Sequence, residues 1–136
     1  MDNQKLYVGL KVRLIAHIID LSLLSSAMFL LLTSLKPLPY NNLIIFKEVT
    51  GLILSTLYYT ILTASSKHGS FGKQLMGIMV VDKNMQGLSL THSFGRYLAY
   101  FFSYITLGLG FIMIATTKKH TGLHDKIANT YVIHSR

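Results

Sequence analysis

The sequence predicts an all-α integral membrane protein: two transmembrane helices plus a third apolar segment, re-entrant or spanning, with short β-strands on the cytoplasmic side. Three observations carry this. Hydrophobic residues make up 51% of the 136 and charged residues 13%, about half the charged share of an average soluble domain. Residues 49–66 and 97–117 carry no charge, and 14–35 carry only Asp20. Runs of about 20 apolar residues are what a hydrocarbon core of roughly 30 Å requires. Thirteen lysines and arginines give a net charge of +8, and they sit at the ends of the apolar runs, where the positive-inside rule puts them. A nucleic-acid binder would gather them on one face among aromatics, so the expected partner is the lipid bilayer and no nucleic acid. The length suits one domain over residues 1–136.

The first helix is expected from Val8 to Thr33. It is read as uncleaved, because the apolar run is too long for a signal core and Asp20 interrupts it. "LKPLPYNN" ends it with turn chemistry, and the second helix runs from Leu43 to Thr63. "SSKHGSFGKQLMG" follows as a polar loop. "IMVVD" and "LSL" flank "KNMQG" as a hairpin, or as a strand and its return, and "TYVIH" has the same β-branched and aromatic character. The third apolar segment, Tyr97 to Thr117, is broken by "LGLG" at 107–110. If it crosses the membrane, the basic residues divide seven against six; if it turns back at Gly108–Gly110, they divide eleven against two. The positive-inside rule favours re-entry. That arrangement puts the N-terminus in the cytoplasm and "IMVVD" and "TYVI" on one side, where they can pair; the expected location is the plasma (cell inner) membrane.

The first helix carries Arg13, His17 and Asp20 at i, i+4 and i+7, on one face. Arg13 can snorkel to the headgroups. Asp20 lies about 10 Å deeper, where a carboxylate costs about 2.5–3.5 kcal/mol on insertion scales. Arginine and aspartate seven apart do not readily touch on a straight helix. The partner of Asp20 is therefore sought in His17, a tyrosine of "LYYT", or a basic residue of the loop or tail. Three uses of this face stay open: helix packing, a proton- or ion-linked site, and an interface with a partner membrane protein.

The later motifs complete a pattern. "GSFGKQLMGIMVVDKNMQGLSL" (69–90) resembles the "G-x-x-G-K-x-x-x-G-x-x-V-V-D" block of the RDD family of small integral membrane proteins. "TGLHDKIANTYVI" (121–133) is similar to its "L-H-D-x-x-A-x-T-x-V" ending. The resemblance matches the family's arginine to Arg13 and its two aspartates to Asp20 and Asp125. Phe71 stands where a proline is usual before "GK", and Asn129 where glycine is common. The resemblance implies transport of unidentified ligands, with cation–proton exchange proposed for some members.

The remaining motifs are weaker. "GSFGKQ" lacks the glycine spacing and the Ser or Thr of a phosphate loop. It reads as a turn that sets Lys73 at the membrane surface near anionic headgroups. His120, His124 and Asp125 have helical metal spacing but no third strong ligand fixed by sequence. A surface helix with Asp125 reaching Arg13 or Lys73 is the preferred reading. Glu48, Gly51, Ser55, Tyr59 and Ser66 form a stripe suited to close helix packing. Tyr97, Tyr100, Phe101, Phe102 and Tyr104 read as an interfacial aromatic belt. With no cysteine, catalytic triad or carboxylate pair, neither an enzyme nor a metal or other cofactor is expected. The expected site is Asp20 as the ion- or proton-binding carboxylate, with Arg13 and Asp125 at the helix mouth and His17, Lys73 and His124 around them. The solute is H+ or a monovalent cation. A homo-oligomer is expected, because two or three helices hardly enclose a pathway. The alternative is an accessory subunit that organises a partner membrane protein.

Overall fold

The computed structural model describes residues 6–34, 40–106 and 109–135. In chain order they form α1 (Leu10–Ser34), α2 (Tyr40–Ala64), α3 (Phe71–Leu75), β1 (Ile78–Asp82), α4 (Leu90–Ile105), α5 (Leu109–Thr116), α6 (Leu123–Ile127) and β2 (Thr130–His134). At 25 residues each, α1 and α2 reach about 38 Å, and both are long and apolar enough to cross a membrane. Leu14, Ile18, Phe29 and Leu30 of α1 point outward, as do Ile45, Val49, Ile53 and Leu57 of α2. Several hydroxyls on these helices are satisfied within the helix. Ser22 donates to the Ile18 carbonyl at 2.9 Å, Ser26 to Ser22 at 2.7 Å and Thr56 to Leu52 at 2.7 Å, which is how polar side chains are tolerated in apolar surroundings. The second helix starts earlier than expected, at Tyr40, so the two asparagines belong to it. The prolines of "LKPLPYNN" lie outside the described residues.

The polar segments form a cap at one end of α1. β1 pairs antiparallel with β2, from Ile78 opposite His134 to Asp82 opposite Thr130. Tyr7 bridges to Ile133 on the far edge of β2, and the Val8 N–H donates to the Val132 carbonyl at 3.0 Å. Val8, Ala16, Ile78, Val80, Leu88 and Val132 close into a buried core. Asn129, just before β2, is left-handed at φ 50°, a conformation asparagine tolerates better than most residues.

One expectation changes here, and one bound moves. "LSL" is not a returning strand. Backbone N–H groups of Asn84 and Gln86 donate to Asp82 Oδ1 at 2.8 and 2.9 Å, closing a tight loop, and the chain then enters α4 at Leu90. β1 finds its partner in β2 instead, because only that pairing buries Ile78, Val80 and Val132 together. The third apolar segment holds two helices and begins earlier than Tyr97. α4 begins seven residues before Tyr97, and α5 follows a turn at Thr106; Leu107 and Gly108 lie outside the described residues. At about 24 Å and 12 Å, each is shorter than a bilayer core. α4 is two-faced: Ser93, Arg96, Ala99 and Ser103 are buried, while Leu90, Phe94, Leu98, Phe101, Phe102 and Ile105 are exposed. Its polar face packs on α6, and it also packs on α2.

Candidate functional site

Asp20 is 1% exposed and receives three hydrogen bonds. Tyr58 Oη and the Gly72 N–H donate to Oδ1, both at 2.7 Å, and Ser70 Oγ donates to Oδ2 at 2.6 Å. One donor comes from "LYYT" on α2, and the other two come from the "GSFGK" turn. Asp20 thus clamps α3 against α1. The approach is closest at Gly72, where an added Cβ would lie 2.0 Å from the Ala16 carbonyl oxygen. The Phe71 N–H donates to Tyr58 Oη at 3.1 Å. A proline at that position has no N–H to give, so the departure from the family pattern adds a bond to the clamp.

Asp125 is fully buried between two arginines. Arg13 Nη1 meets Oδ2 and Arg96 Nη2 meets Oδ1, each at 2.5 Å, and the Gly122 N–H donates to Oδ2 at 3.1 Å. Arg13 also donates to the carbonyls of Val8 (3.0 Å) and His120 (2.6 Å), and Arg96 to Thr130 Oγ1 (3.0 Å). α1, α4, α6 and β2 are therefore tied through one carboxylate. Burial pushes the Asp125 carboxyl up, but the Arg96 and Arg13 guanidiniums outweigh it and hold it well below the usual carboxylate range. His124 lies in this lattice, stacked on Tyr100 with ring centroids 3.9 Å apart and its Nδ1 3.1 Å from Ser103 Oγ. Burial lowers its pKa to about 3 against the opposing pull of Asp125, so it is neutral at physiological pH.

Between α1, α2 and α4 lies a chamber of about 390 Å³, whose wall includes Arg13, His17, Asp20, Lys73, Arg96 and Tyr97. Lys73 is only 9% exposed, and among the described residues no acceptor reaches its Nζ within hydrogen-bonding distance. This corrects the expectation that it faces the headgroups: with Gly72 seated on Ala16, the next side chain turns inward. Burial, then repulsion from Arg96, lowers its pKa to about 7, despite Asp20 and Asp125. A base whose folded pKa lies below its ordinary value destabilises the fold in full below the lower value, and the cost fades as pH rises towards the higher one. The melting temperature of the purified protein is expected to rise from pH 7 towards pH 10. Lys73→Met should flatten that slope, as a melting series would show.

Of the expected residues, the structure brings Arg13 and Asp125 into direct contact, with His124 beside them, and joins Asp20 to Tyr58 and the turn that carries Lys73. Arg13 and Asp20 do not touch each other. Asp125 does not pair with Lys73; Arg96 takes that place, a residue outside the expected site. Its signal was the polar stripe Ser93, Arg96 and Ser103 in an otherwise apolar helix. His17 Nδ1 sits 3.4 Å from Tyr59 Oη. His120 turns away to the Ile114 carbonyl at 2.9 Å, and no group of three metal-ligating side chains converges among the described residues. The aromatic belt splits. Phe101 and Phe102 point outward, but Tyr97 stacks on Tyr59 and shares a 2.9 Å hydrogen bond with Ser55. The side chain of Tyr104 lies outside the described residues.

The family model described as "RDD family" matches residues 7–129. The chain belongs to the RDD family. Two helices of membrane-crossing length and apolarity fit a membrane-embedded member. Over 83 residues this RDD chain is 43% identical to "Uncharacterized protein YxaI" of Bacillus subtilis (strain 168). That match takes in 61% of this chain and 54% of the relative, so the chain spans about half the length of the protein it matches. No solved structure matches it.

Proposed function

We propose that this RDD protein is a small proton-linked transport protein of the cell membrane, exchanging protons for a monovalent cation as an oligomer. The observation that supports it most is the chamber itself. Arg13, Arg96, Lys73 and Asp20 line it, and Asp125 lies against the two arginines; three cations against two carboxylates leave one positive charge when Lys73 holds its proton. The two guanidiniums hold Asp125 ionised, and Lys73, with its pKa lowered to about 7, is the group on which a proton comes and goes. A monovalent cation that takes the place of that proton leaves the chamber's charge unchanged. Asp20 holds the turn that positions the lysine, and His17 and Tyr59 stand beside it.

The third segment is proposed to re-enter rather than cross, with the N-terminus and cap in the cytoplasm. The short α4 and α5 and the eleven-to-two division of basic residues support this. A second reading, an accessory subunit for another membrane protein, is supported by the outward apolar faces of α1 and α2 and by their sparse packing on each other. Proteoliposomes holding equal amounts of wild type and Asp20→Asn separate the two. Transport predicts that added Na+ or K+ collapses a preset pH gradient with wild type, and that Asp20→Asn loses most of that rate while still inserting. Wild type without flux points to the accessory role, and undiminished flux in the variant removes Asp20 from the mechanism.

A further inference from the structure

We infer that the chamber is a binding site for an anionic amphiphile, whose carboxylate or phosphate head meets Lys73 and whose apolar chain lies along α1. The inference concerns occupancy and stands whether or not the protein moves ions. It begins with the charges. Arg13 is committed to Asp125 and two carbonyls, Arg96 to Asp125 and Thr130, and Asp20 to three donors. Lys73 is the cation left over. Enclosing an ammonium without an acceptor is costly, and an anionic head that donates nothing is what completes it.

The rest of the wall specifies the remainder of the ligand. Away from Lys73 the chamber is bounded by Leu21 and Leu24 of α1, Leu52 of α2 and Phe101 of α4. From Arg13 to Leu24 is eleven residues, a shaft of about 16 Å. Leu21, Leu52 and Phe101 are each about half exposed, so the shaft opens sideways on the outward apolar surface of the helices. A hydrated inorganic anion has no use for that shaft, and an amphiphile with a cationic head meets like charge at its base. The volume of about 390 Å³ lies in the usual range for small-molecule sites.

The test is equilibrium binding to the full chain in phosphatidylcholine nanodiscs, with displacement of a conjugated polyene fatty acid as the readout. The competitors are dodecanoate, phosphatidylglycerol, inorganic phosphate and dodecyltrimethylammonium. The expected result is saturable displacement by dodecanoate, phosphatidylglycerol or both. Dodecanoate alone identifies a diffusible fatty acid as the source, and phosphatidylglycerol identifies a bilayer lipid. Lys73→Met should weaken binding by about tenfold or more, the loss of one charge-assisted hydrogen bond, while Lys83→Met on the exposed Asp82 loop leaves it unchanged. Leu24→Trp shortens the shaft, and should weaken dodecanoate while sparing octanoate even if the lysine variant folds poorly. Equal binding to Lys73→Met, equal displacement by the cationic amphiphile, or phosphate competing as well as dodecanoate would each overturn the inference. None of these readouts uses flux, so their failure is distinct from failure of the exchange reading.

Discussion

Gly72→Ala is expected to prevent accumulation of folded protein in the membrane. The new Cβ would stand 2.0 Å from the Ala16 carbonyl oxygen and 3.0 Å from both Ala16 C and Asp20 Cγ. The first two are backbone atoms of a long helix, which cannot turn aside as a side-chain tip can. α3 must therefore retreat, and the retreat stretches the Gly72 N–H and Ser70 Oγ bonds to Asp20 together. Removing the partners of a buried charge costs about 3–5 kcal/mol, a large part of a total stability of about 5–15 kcal/mol. Size-exclusion profiles and melting of detergent extracts measure this directly. A variant as abundant and as heat-stable as wild type would mean that α3 can slide on α1 without loss.

Asp125→Asn is expected to be of similar severity for a different reason. The substitution keeps the shape, and the amide oxygen can still accept from Gly122, but two buried guanidiniums lose the anion they share. Uncompensated burial of charge costs about 3–5 kcal/mol, and both arginines are under 9% exposed. The diagnostic measurement is a double-mutant cycle in which Arg13→Gln is added to Asp125→Asn. Because the arginine's burial is a penalty only once its partner is gone, the pair should be less destabilised than the sum of the single changes. Strict additivity of the melting shifts would show that the ion pair carries no coupling.

The two long helices were legible because length and apolar content alone decide them. Where the partners of the charged face lie was legible only in part. That Asp20 needs a partner on another segment follows from its depth in α1, and a tyrosine of "LYYT" was among the candidates; Ser70 and Gly72 were not. The link from Arg13 to Asp125 rested on the family resemblance, since nothing local joins residues 112 apart. Arg96 escaped because a lone arginine at the head of an apolar run usually reads as a membrane-surface cation. The buried polar stripe of Ser93, Arg96 and Ser103 on α4 points to it. Lys73 misled for the same reason: lysine commonly reaches for headgroups, and its inward turn depends on a glycine contact with another helix. "LSL" looked like a strand on composition, but strand partners are chosen by what the pairing buries.

The bridge between Arg13 and Asp125 also sets an order of events during synthesis. Their 112-residue separation, at about 5–20 residues per second, keeps the arginine of the first helix waiting for roughly ten seconds. For that interval α1 is inserted with its basic end unanchored, and Arg96 joins it late in the wait. The cap locks only once α6 and β2 have left the ribosome. A product cut short before Asp125 therefore carries the guanidiniums of Arg13 and Arg96 without the carboxylate that joins them.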